Sequence, residues 1–299
     1  MAGLSEERRP CVHLTTTLPT EVEHAIARDF ELVATPTGAD GIVATPAITV
    51  DAAYLDAAGP GLRVVANYAV GIDNIDLGTA RDRGIVVTNT PRVLTNATAE
   101  HAIGLMLALL RRICEGDRSL RRRDHWEWGP DFMVAESLEG KELLVIGPGR
   151  IGRRVAQLAE VHGARPVFAG RDADLPGLLA TADIVSLHCP LTPETNRLID
   201  ADALAAMKPT AVLVNTARGP VVDESALVAA LQAGSIAGAA LDVFEHEPGV
   251  SEGLLELENV VLTPHIASAT RETRLAMGML CVEALRAVLL EGRTPANAV

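Results

Sequence analysis

Residues 143–152 read LLVIGPGRIG, and this stretch decides the fold of the chain. The apolar run 143–146 has strand character, and Gly147, Gly149 and Gly152 follow at the spacing of a dinucleotide-binding turn. In such a turn the first glycine permits a tight bend, the second lets the backbone approach a pyrophosphate, and the third lets the next helix pack on its strand. The stretch therefore predicts a strand, a glycine turn and a helix whose first amides face phosphate.

The segment after the turn supplies the context that this interpretation needs. The same glycine spacing also occurs in ordinary βα turns that bind no nucleotide. Here, however, a second strand is expected at 165–169, which completes a βαβ unit. The helix between the strands has one apolar face, formed by Ile151, Val155, Leu158 and Ala159.

Composition excludes several classes of protein. The 299 residues are 48% hydrophobic, and 26 basic against 39 acidic side chains give a net charge of −13. This charge argues against a general nucleic-acid or anionic-membrane binder. Scattered cysteines predict reduced thiols with neither a disulfide nor a metal site. The polar N-terminus MAGLSEERRP lacks a signal-peptide pattern, and no membrane span is expected, so we predict a cytoplasmic protein.

Strands and helices alternate along the chain, which predicts an α/β fold with parallel sheets. The helix expected at 95–112 is apolar on nearly every face, and the domain boundary is placed at its start. One domain should comprise residues 1–94 with the terminal helix in 271–299, and the other residues 95–270. Strands are predicted at 11–14, 31–34, 41–44, 62–67 and 85–89, then at 143–146, 165–169, 183–187, 211–215, 237–241 and 260–263.

Segment 115–137 is rich in arginine and holds Trp126, Trp128 and Phe132 in a protein with only 3% aromatic residues. It is either an exposed arm that folds over its own chain or a surface whose aromatics anchor a partner subunit. We expect a homodimer held largely by residues 95–137.

Three polar side chains follow predicted strands at the edge where ligands bind in open α/β sheets. Arg218 lies in NTARG, Glu247 in LDVFEHEP and His265 in TPHIAS. Each one alone could be a structural ion pair or a cap. Together they offer a guanidinium to hold an anion and a carboxylate beside an imidazole to move a proton. His246, flanked by two glutamates, is the competing acid/base residue.

The chain resembles the D-isomer-specific 2-hydroxyacid dehydrogenases across residues 66–270. The resemblance is carried, in the family's order, by VGIDNID, NTPRVLTNATAE, VIGPGRIG, SLHCPLTPET, NTARGPVVDESAL, ALDVFEHEP and TPHIASAT. Within the family it is most similar to glyoxylate and hydroxypyruvate reductases. The resemblance implies two doubly wound domains, a Rossmann-type cofactor domain and a smaller flavodoxin-like substrate domain, and a dimer that reduces a small 2-keto acid to the D-2-hydroxy acid.

The resemblance also implies the site residues. His265 matches the proton donor, Glu247 its partner, Arg218 the substrate clamp, and Val70 with Gly71 the loop that binds the substrate carboxylate. A nicotinamide cofactor is implied, and no metal. The residues expected at the cofactor are Val70, Thr98, Gly147, Gly149, Arg150, Ile151, Gly152, Gly170, Arg171, Cys189, Thr195, Thr216, Arg218, Asp242, His265 and Ala267.

Two features depart from the family. Only residues 35–40 separate two early strands where relatives carry a helix, so the smaller domain should be trimmed. The chain also ends at Val299 without a regulatory domain, which makes a serine-pathway phosphoglycerate dehydrogenase a weaker expectation. The alternatives are a dehydrogenase of another anion, such as D-3-phosphoglycerate, phosphite or formate, and a nucleotide-sensing, corepressor-like protein.

The end of the second strand predicts a preference for NADPH. An acid at this place normally binds the ribose 2′-hydroxyl, but Gly170 follows Ala169 directly. Gly170 leaves room for a 2′-phosphate, and Arg171 offers a guanidinium to bind it. Asp172 leaves the opposite preference open, because a slip of one residue would bring a carboxylate to the ribose.

Overall fold

The computed structural model describes residues 8–299; residues 1–7, at the start of the polar N-terminal segment, lie outside it. The strands are β1 Cys11–Leu14, β2 Glu31–Val33, β3 Gly41–Ala44, β4 Val64–Asn67, β5 Val86–Thr88, β6 Glu142–Ile146, β7 Arg165–Ala169, β8 Ile184–Leu187, β9 Val212–Asn215, β10 Gly238–Leu241 and β11 Val260–Leu262. The helices are α1 Thr20–Asp29, α2 Ala52–Ala58, α3 Leu77–Asp82, α4 Thr95–Leu110, α5 Ile113–Arg122, α6 Arg150–Val161, α7 Leu175–Thr181, α8 Ala201–Ala206, α9 Glu224–Gln232, α10 Glu252–Leu255 and α11 Arg271–Leu289.

The chain forms two compact units. The first contains the described residues up to Leu94 together with Ala269–Val299, and the second is Thr95–Ser268. No helix of the described part is long and apolar enough to cross a membrane.

The first unit is a five-stranded parallel sheet in the order β2-β1-β3-β4-β5, which is the flavodoxin-like order. Residues 34–40 join β2 to β3 without a helix, as the sequence predicts. Helix α11 packs against α1, β3 and β4. Gly41 allows this approach, because a Cβ there would lie 2.8 Å from the Leu285 side chain.

The second unit is a six-stranded parallel sheet in the order β11-β10-β9-β8-β6-β7. Strands β8, β9 and β10 are buried on both faces, as expected when helices cover both sides, whereas the edge strand β7 is partly exposed. In β6, Leu144 and Ile146 face a core with helices α7, α8 and α9, while Leu143 and Val145 face a core with α4 and α6. The α/β fold with two doubly wound parallel sheets is therefore confirmed. The strand order reverses between β6 and β8, which marks the switch point where ligands bind in such sheets.

Several predicted bounds were wrong by a few residues. Most predicted strands run one or two residues too long, because the predicted bounds include residues that flank the strand and lie outside its ladder. Helix α2 begins at Ala52, since the Asp51 side chain accepts a hydrogen bond from Tyr54 N at 2.8 Å and caps it. Helix α1 follows Pro19 without a side-chain cap.

The structure also corrects the account of segment 115–137, whose first part is helical. Helix α5 has no buried residue, so the apolar periodicity that reveals a packed helix is missing. Ion pairs support it instead, among them Arg121–Asp117 at 2.8 Å and Arg122–Glu258 at 2.7 Å. Beyond it, Trp126 and Phe132 stack with ring centroids 6.0 Å apart.

Candidate active site

The glycine turn after β6 lies at the switch point of the second sheet. Gly147 has φ +93°, and a Cβ there would lie 2.6 Å from the backbone nitrogen of Cys189. A Cβ on Gly152 would collide with the Gly147 carbonyl, so only glycine lets α6 approach the turn this closely. At Gly149 no atom lies within 4 Å of a Cβ position, which leaves this backbone open to a ligand. Each glycine thus has the geometry that its predicted task needs.

The N-terminus of α6 is suited to a phosphate. Gly149 is its N-cap and offers no side chain, and no acidic residue stands in the first turn. The first amides of a helix lack partners within the helix, so they are available here to an anion. Six of the other helices are capped by a side chain, through Asp51, Asp76, Asp174, Asp200, Asp223 and Thr270, whereas α1, α5 and α10 have no such cap.

Polar atoms without partners collect where β8 and β9 end. The hydroxyl of Thr216, a predicted cofactor residue, is buried without a hydrogen-bond partner. His188, which sequence reasoning missed, places Nε2 2.8 Å from Ser186 Oγ and leaves a buried Nδ1 without a partner. Burial lowers the pKa of His188 to about 4, so the ring is neutral at pH 7, and burial raises the pKa of the Cys189 thiol. Buried unpaired polar atoms are rare, and these two suit a bound polar ligand.

Three other predicted cofactor residues are buried or already make hydrogen bonds within the chain. Thr195 Oγ1 donates to the Pro190 carbonyl at 2.6 Å, so its hydroxyl stabilises its own loop. Thr98 is buried in α4. Ala267 is buried and donates its N–H to Asp242 Oδ2 at 2.8 Å.

The end of β7 places Gly170 directly after the last strand residue, Ala169. A Cβ on Gly170 would meet no atom within 4 Å, and Arg171 and Asp172 are both exposed. The open space at Gly170 and the guanidinium of Arg171, on which the predicted NADPH preference depends, are therefore both present. The carboxylate of Asp172, which would favour NADH, is exposed beside them.

The segment after β9 carries Arg218 and is shaped by Asn215. The Asn215 side chain accepts from Ala217 N and donates to the Arg218 carbonyl, both at 2.9 Å. The guanidinium bonds back to the Ala217 carbonyl at 2.8 Å. Gly219 lies so close to the Phe244 carbonyl that any side chain would collide with it, which brings this segment against the loop after β10.

His265 and Glu247 form a direct pair. His265 Nδ1 lies 2.7 Å from Glu247 Oε2, and both side chains are about one third exposed, at 36% and 35%. The other carboxylate oxygen accepts from Phe244 N at 3.1 Å. His246, the competitor, is exposed, and its ring makes no hydrogen bond within the described part of the chain. The structure thus brings Glu247 together with His265 and not with His246.

Burial and hydrogen bonding act in opposite directions on Glu247. Burial by itself raises the pKa of this carboxyl, but the hydrogen bond and charge of His265, the Phe244 N–H and the charge of Arg218 lower it further than burial raises it. The net result is a pKa below the usual value, so Glu247 is ionised at neutral pH. An ionised carboxylate accepts a stronger hydrogen bond than a neutral acid, so it holds the His265 ring in place.

The predicted substrate loop lies in the first unit, after β4. The Val70 carbonyl accepts from Asn89 Nδ2 at 2.8 Å, and the Gly71 carbonyl accepts from the buried Asn67 Nδ2 at 2.7 Å. These bonds fix the carbonyls of the loop inside the first unit.

Comparison with known proteins identifies the family. The family model for the D-isomer specific 2-hydroxyacid dehydrogenase, NAD binding domain, matches residues 103–267. The chain belongs to this family. It is 48% identical over 258 residues to a glyoxylate reductase from Aeropyrum pernix, covering 80% of this chain and 77% of that protein.

Solved structures agree with this assignment. A protein from Thermus thermophilus is 43% identical with a TM-score of 0.89, covering 97% of this chain and 99% of that one. An NADPH-dependent glyoxylate/hydroxypyruvate reductase from Sinorhizobium meliloti, in complex with NADP and malonate, is 36% identical with a TM-score of 0.86, and 97% of each chain is covered. The resemblance and the fold that it implied are confirmed, and the chain is an oxidoreductase of this family with a nicotinamide-binding domain.

The pairing of Glu247 predicts a titration result. In His265→Asn the hydrogen bond and the charge that lower the pKa of Glu247 are lost while its burial remains, so this pKa should rise toward or above the usual carboxyl value. In the parent, the stability that the ionised Glu247 contributes to the fold is present at pH values above the usual carboxyl pKa. It is lost as the pH falls through the lowered pKa of Glu247 in the folded protein. The measurement is the side-chain carboxyl ¹³C shift of Glu247 against pH in the cofactor-free protein. His246→Asn is the control, and a shift of the titration in that variant but not in His265→Asn would contradict the pairing.

Proposed function

We propose that the chain is an NAD(P)H-dependent reductase that converts a small 2-keto acid of the glyoxylate or hydroxypyruvate type to the D-2-hydroxy acid. The observation that carries this proposal is the 2.7 Å contact between His265 and Glu247, at the sheet edge that also holds Arg218. The names of the relatives support the substrate class, since those proteins reduce glyoxylate or hydroxypyruvate. The malonate in one relative supports a small acid as the ligand.

The proposed chemistry divides between three side chains. Arg218 binds the substrate carboxylate and polarises the keto group with its forked guanidinium. His265 has Nδ1 occupied by Glu247, so Nε2 is the atom that donates a proton to the alkoxide that forms. The ionised Glu247 holds the ring in that orientation.

The residues of the glycine turn suit a nicotinamide dinucleotide. Gly149 and the α6 amides of Arg150 and Ile151 would hold the pyrophosphate, and Thr216, whose buried hydroxyl has no hydrogen-bond partner, would contact the nicotinamide side. When bound, the reduced nicotinamide supplies the hydride. The acidic composition and scattered free cysteines support a place in the cytoplasm.

Turnover with keto acids tests the function. The parent protein with reduced cofactor should reduce glyoxylate and hydroxypyruvate, and His265→Asn should lower kcat on the order of 100-fold or more, because the proton donor is removed. His246→Asn is the matched control and should retain parental kcat. Oxidation of phosphite, formate or D-3-phosphoglycerate without keto acid reduction would show another dehydrogenase, and cofactor binding without any turnover would show a sensing protein.

Cofactor preference is a second proposal, for NADPH over NADH. Replacing Arg171 by Ala should reduce kcat/KM for NADPH about 10- to 100-fold, since a charge-assisted hydrogen bond contributes about 1.5 to 3 kcal/mol. Efficiency with NADH should change little. The comparison variant is Asp172→Asn, which should leave both cofactors nearly unaffected. A parent that favours NADH, or a selective loss of NADH efficiency in Asp172→Asn, would place the carboxylate at the ribose instead.

A homodimer through residues 95–137 is the third proposal. Trp128 is 83% exposed and Trp126 51% exposed, which is unusual for side chains of this size, and Leu120 and Val134 are exposed near them in sequence. Sedimentation velocity at micromolar concentration should show a dimer for the parent. Trp128→Ser should shift it toward monomer, whereas Phe168→Ser, an exposed aromatic outside this segment, should not. A monomeric parent would leave the segment as an arm of its own chain.

A further inference from the structure

The loop that carries His265 is held by a buried carboxylate. Asp242 has no exposed surface, and its two oxygens accept from the backbone of the loop: Oδ1 from Ile266 N at 2.9 Å and Oδ2 from Ala267 N at 2.8 Å. The Asp242 carbonyl accepts from His265 N at 2.8 Å. One residue thus binds three successive amides, beginning at His265 itself.

This anchoring opposes a local backbone cost. His265 has φ +52°, in the left-handed region that side chains other than glycine rarely adopt. Such a conformation persists only where the surroundings over-determine it. The three amide bonds to Asp242 supply that constraint, and the resulting backbone direction places the imidazole against Glu247.

Two further side chains complete the arrangement. Thr263 Oγ1 donates to Asp242 Oδ1 at 2.6 Å, and His101 of α4 places Nε2 3.1 Å from Thr263 Oγ1 and 3.3 Å from Asp242 Oδ1. A hydroxyl has one proton, and Thr263 gives it to the carboxylate, so its oxygen accepts from His101. His101 Nε2 therefore carries a hydrogen.

Burial of the Asp242 carboxylate is compensated by these donors. Burial by itself raises the pKa of Asp242, but the hydrogen bonds from His101, Thr263 and the two amides lower it overall, so the carboxylate is ionised. A charged carboxylate accepts stronger hydrogen bonds than a neutral acid, which stiffens the loop that it binds.

We propose that His101 and Thr263 are positioning residues for the reaction: through Asp242 they fix loop 263–267 and thereby the ring of His265. The kinetic part of this inference rests on the proposed function, whereas the structural part does not. Neither residue touches the reacting groups, so their removal should loosen the proton donor while leaving the Arg218 clamp unaffected.

Thr263→Val tests this with little change of shape, and Thr263→Ser is the matched control because it keeps the hydroxyl. In the cofactor-free protein, Thr263→Val should raise the pKa of Glu247, measured by its carboxyl ¹³C shift, because the His265 contact is loosened. In turnover, Thr263→Val should lower kcat for glyoxylate on the order of 10- to 100-fold, with KM changed less than about twofold. Thr263→Ser should restore both values to near those of the parent.

A second pair keeps the test decisive if Thr263→Val does not fold. His101→Leu should reproduce both effects, and His101→Gln, which retains an N–H donor, should show them weakly. Parental titration and parental kcat in the folded Thr263→Val or His101→Leu variant would overturn the inference. If these variants raise the pKa of Glu247 but the parent reduces no keto acid, the positioning role of His101 and Thr263 is upheld and the proposed function is rejected.

Discussion

The buried carboxylate of Asp242 is the interaction on which the arrangement of the site depends. It closes β10 and binds the backbone of the loop after β11, so two neighbouring strand ends are joined by one side chain. Glu247, farther along the loop after β10, binds His265, and Gly219 brings the segment after β9 against the same loop. The ends of β9, β10 and β11, which are far apart in sequence, thus present one connected set of polar groups. The parallel sheet places these ends at one edge, and the contacts between the loops set the distances between their polar side chains.

The sequence could predict much of this because two simple rules apply. Apolar runs bounded by glycine or polar residues mark buried parallel strands, and β7 was predicted with its correct bounds at Arg165–Ala169. Carboxyl ends of parallel strands meet at one edge, which is why Arg218, Glu247 and His265 could be expected together. The choice between His246 and His265 could not be made in this way, since both follow strands near Glu247. Only the backbone of the two loops determines which ring reaches the carboxylate.

What the sequence could not predict depends on contacts between distant positions. His101 lies on a largely apolar helix, and nothing in the sequence of that helix indicates a bond to Thr263. Asp242 could be expected at a cofactor, but its bonds to the loop of His265 require coordinates. Helix α5 was missed because it buries no residue and is supported by ion pairs such as Arg121–Asp117. The resemblance to a known family therefore indicated the chemical groups, and the structure added the contacts that orient them.

The central claim is that Glu247 and His265 act as one acid/base unit, and the most direct measurement is a double-mutant cycle of the two residues in glyoxylate reduction under single-turnover conditions. Glu247→Gln and His265→Asn should each slow the reaction. The double variant should be about as slow as His265→Asn alone, because the carboxylate acts only through the ring that it binds. A double variant in which the two single effects multiply would contradict the account.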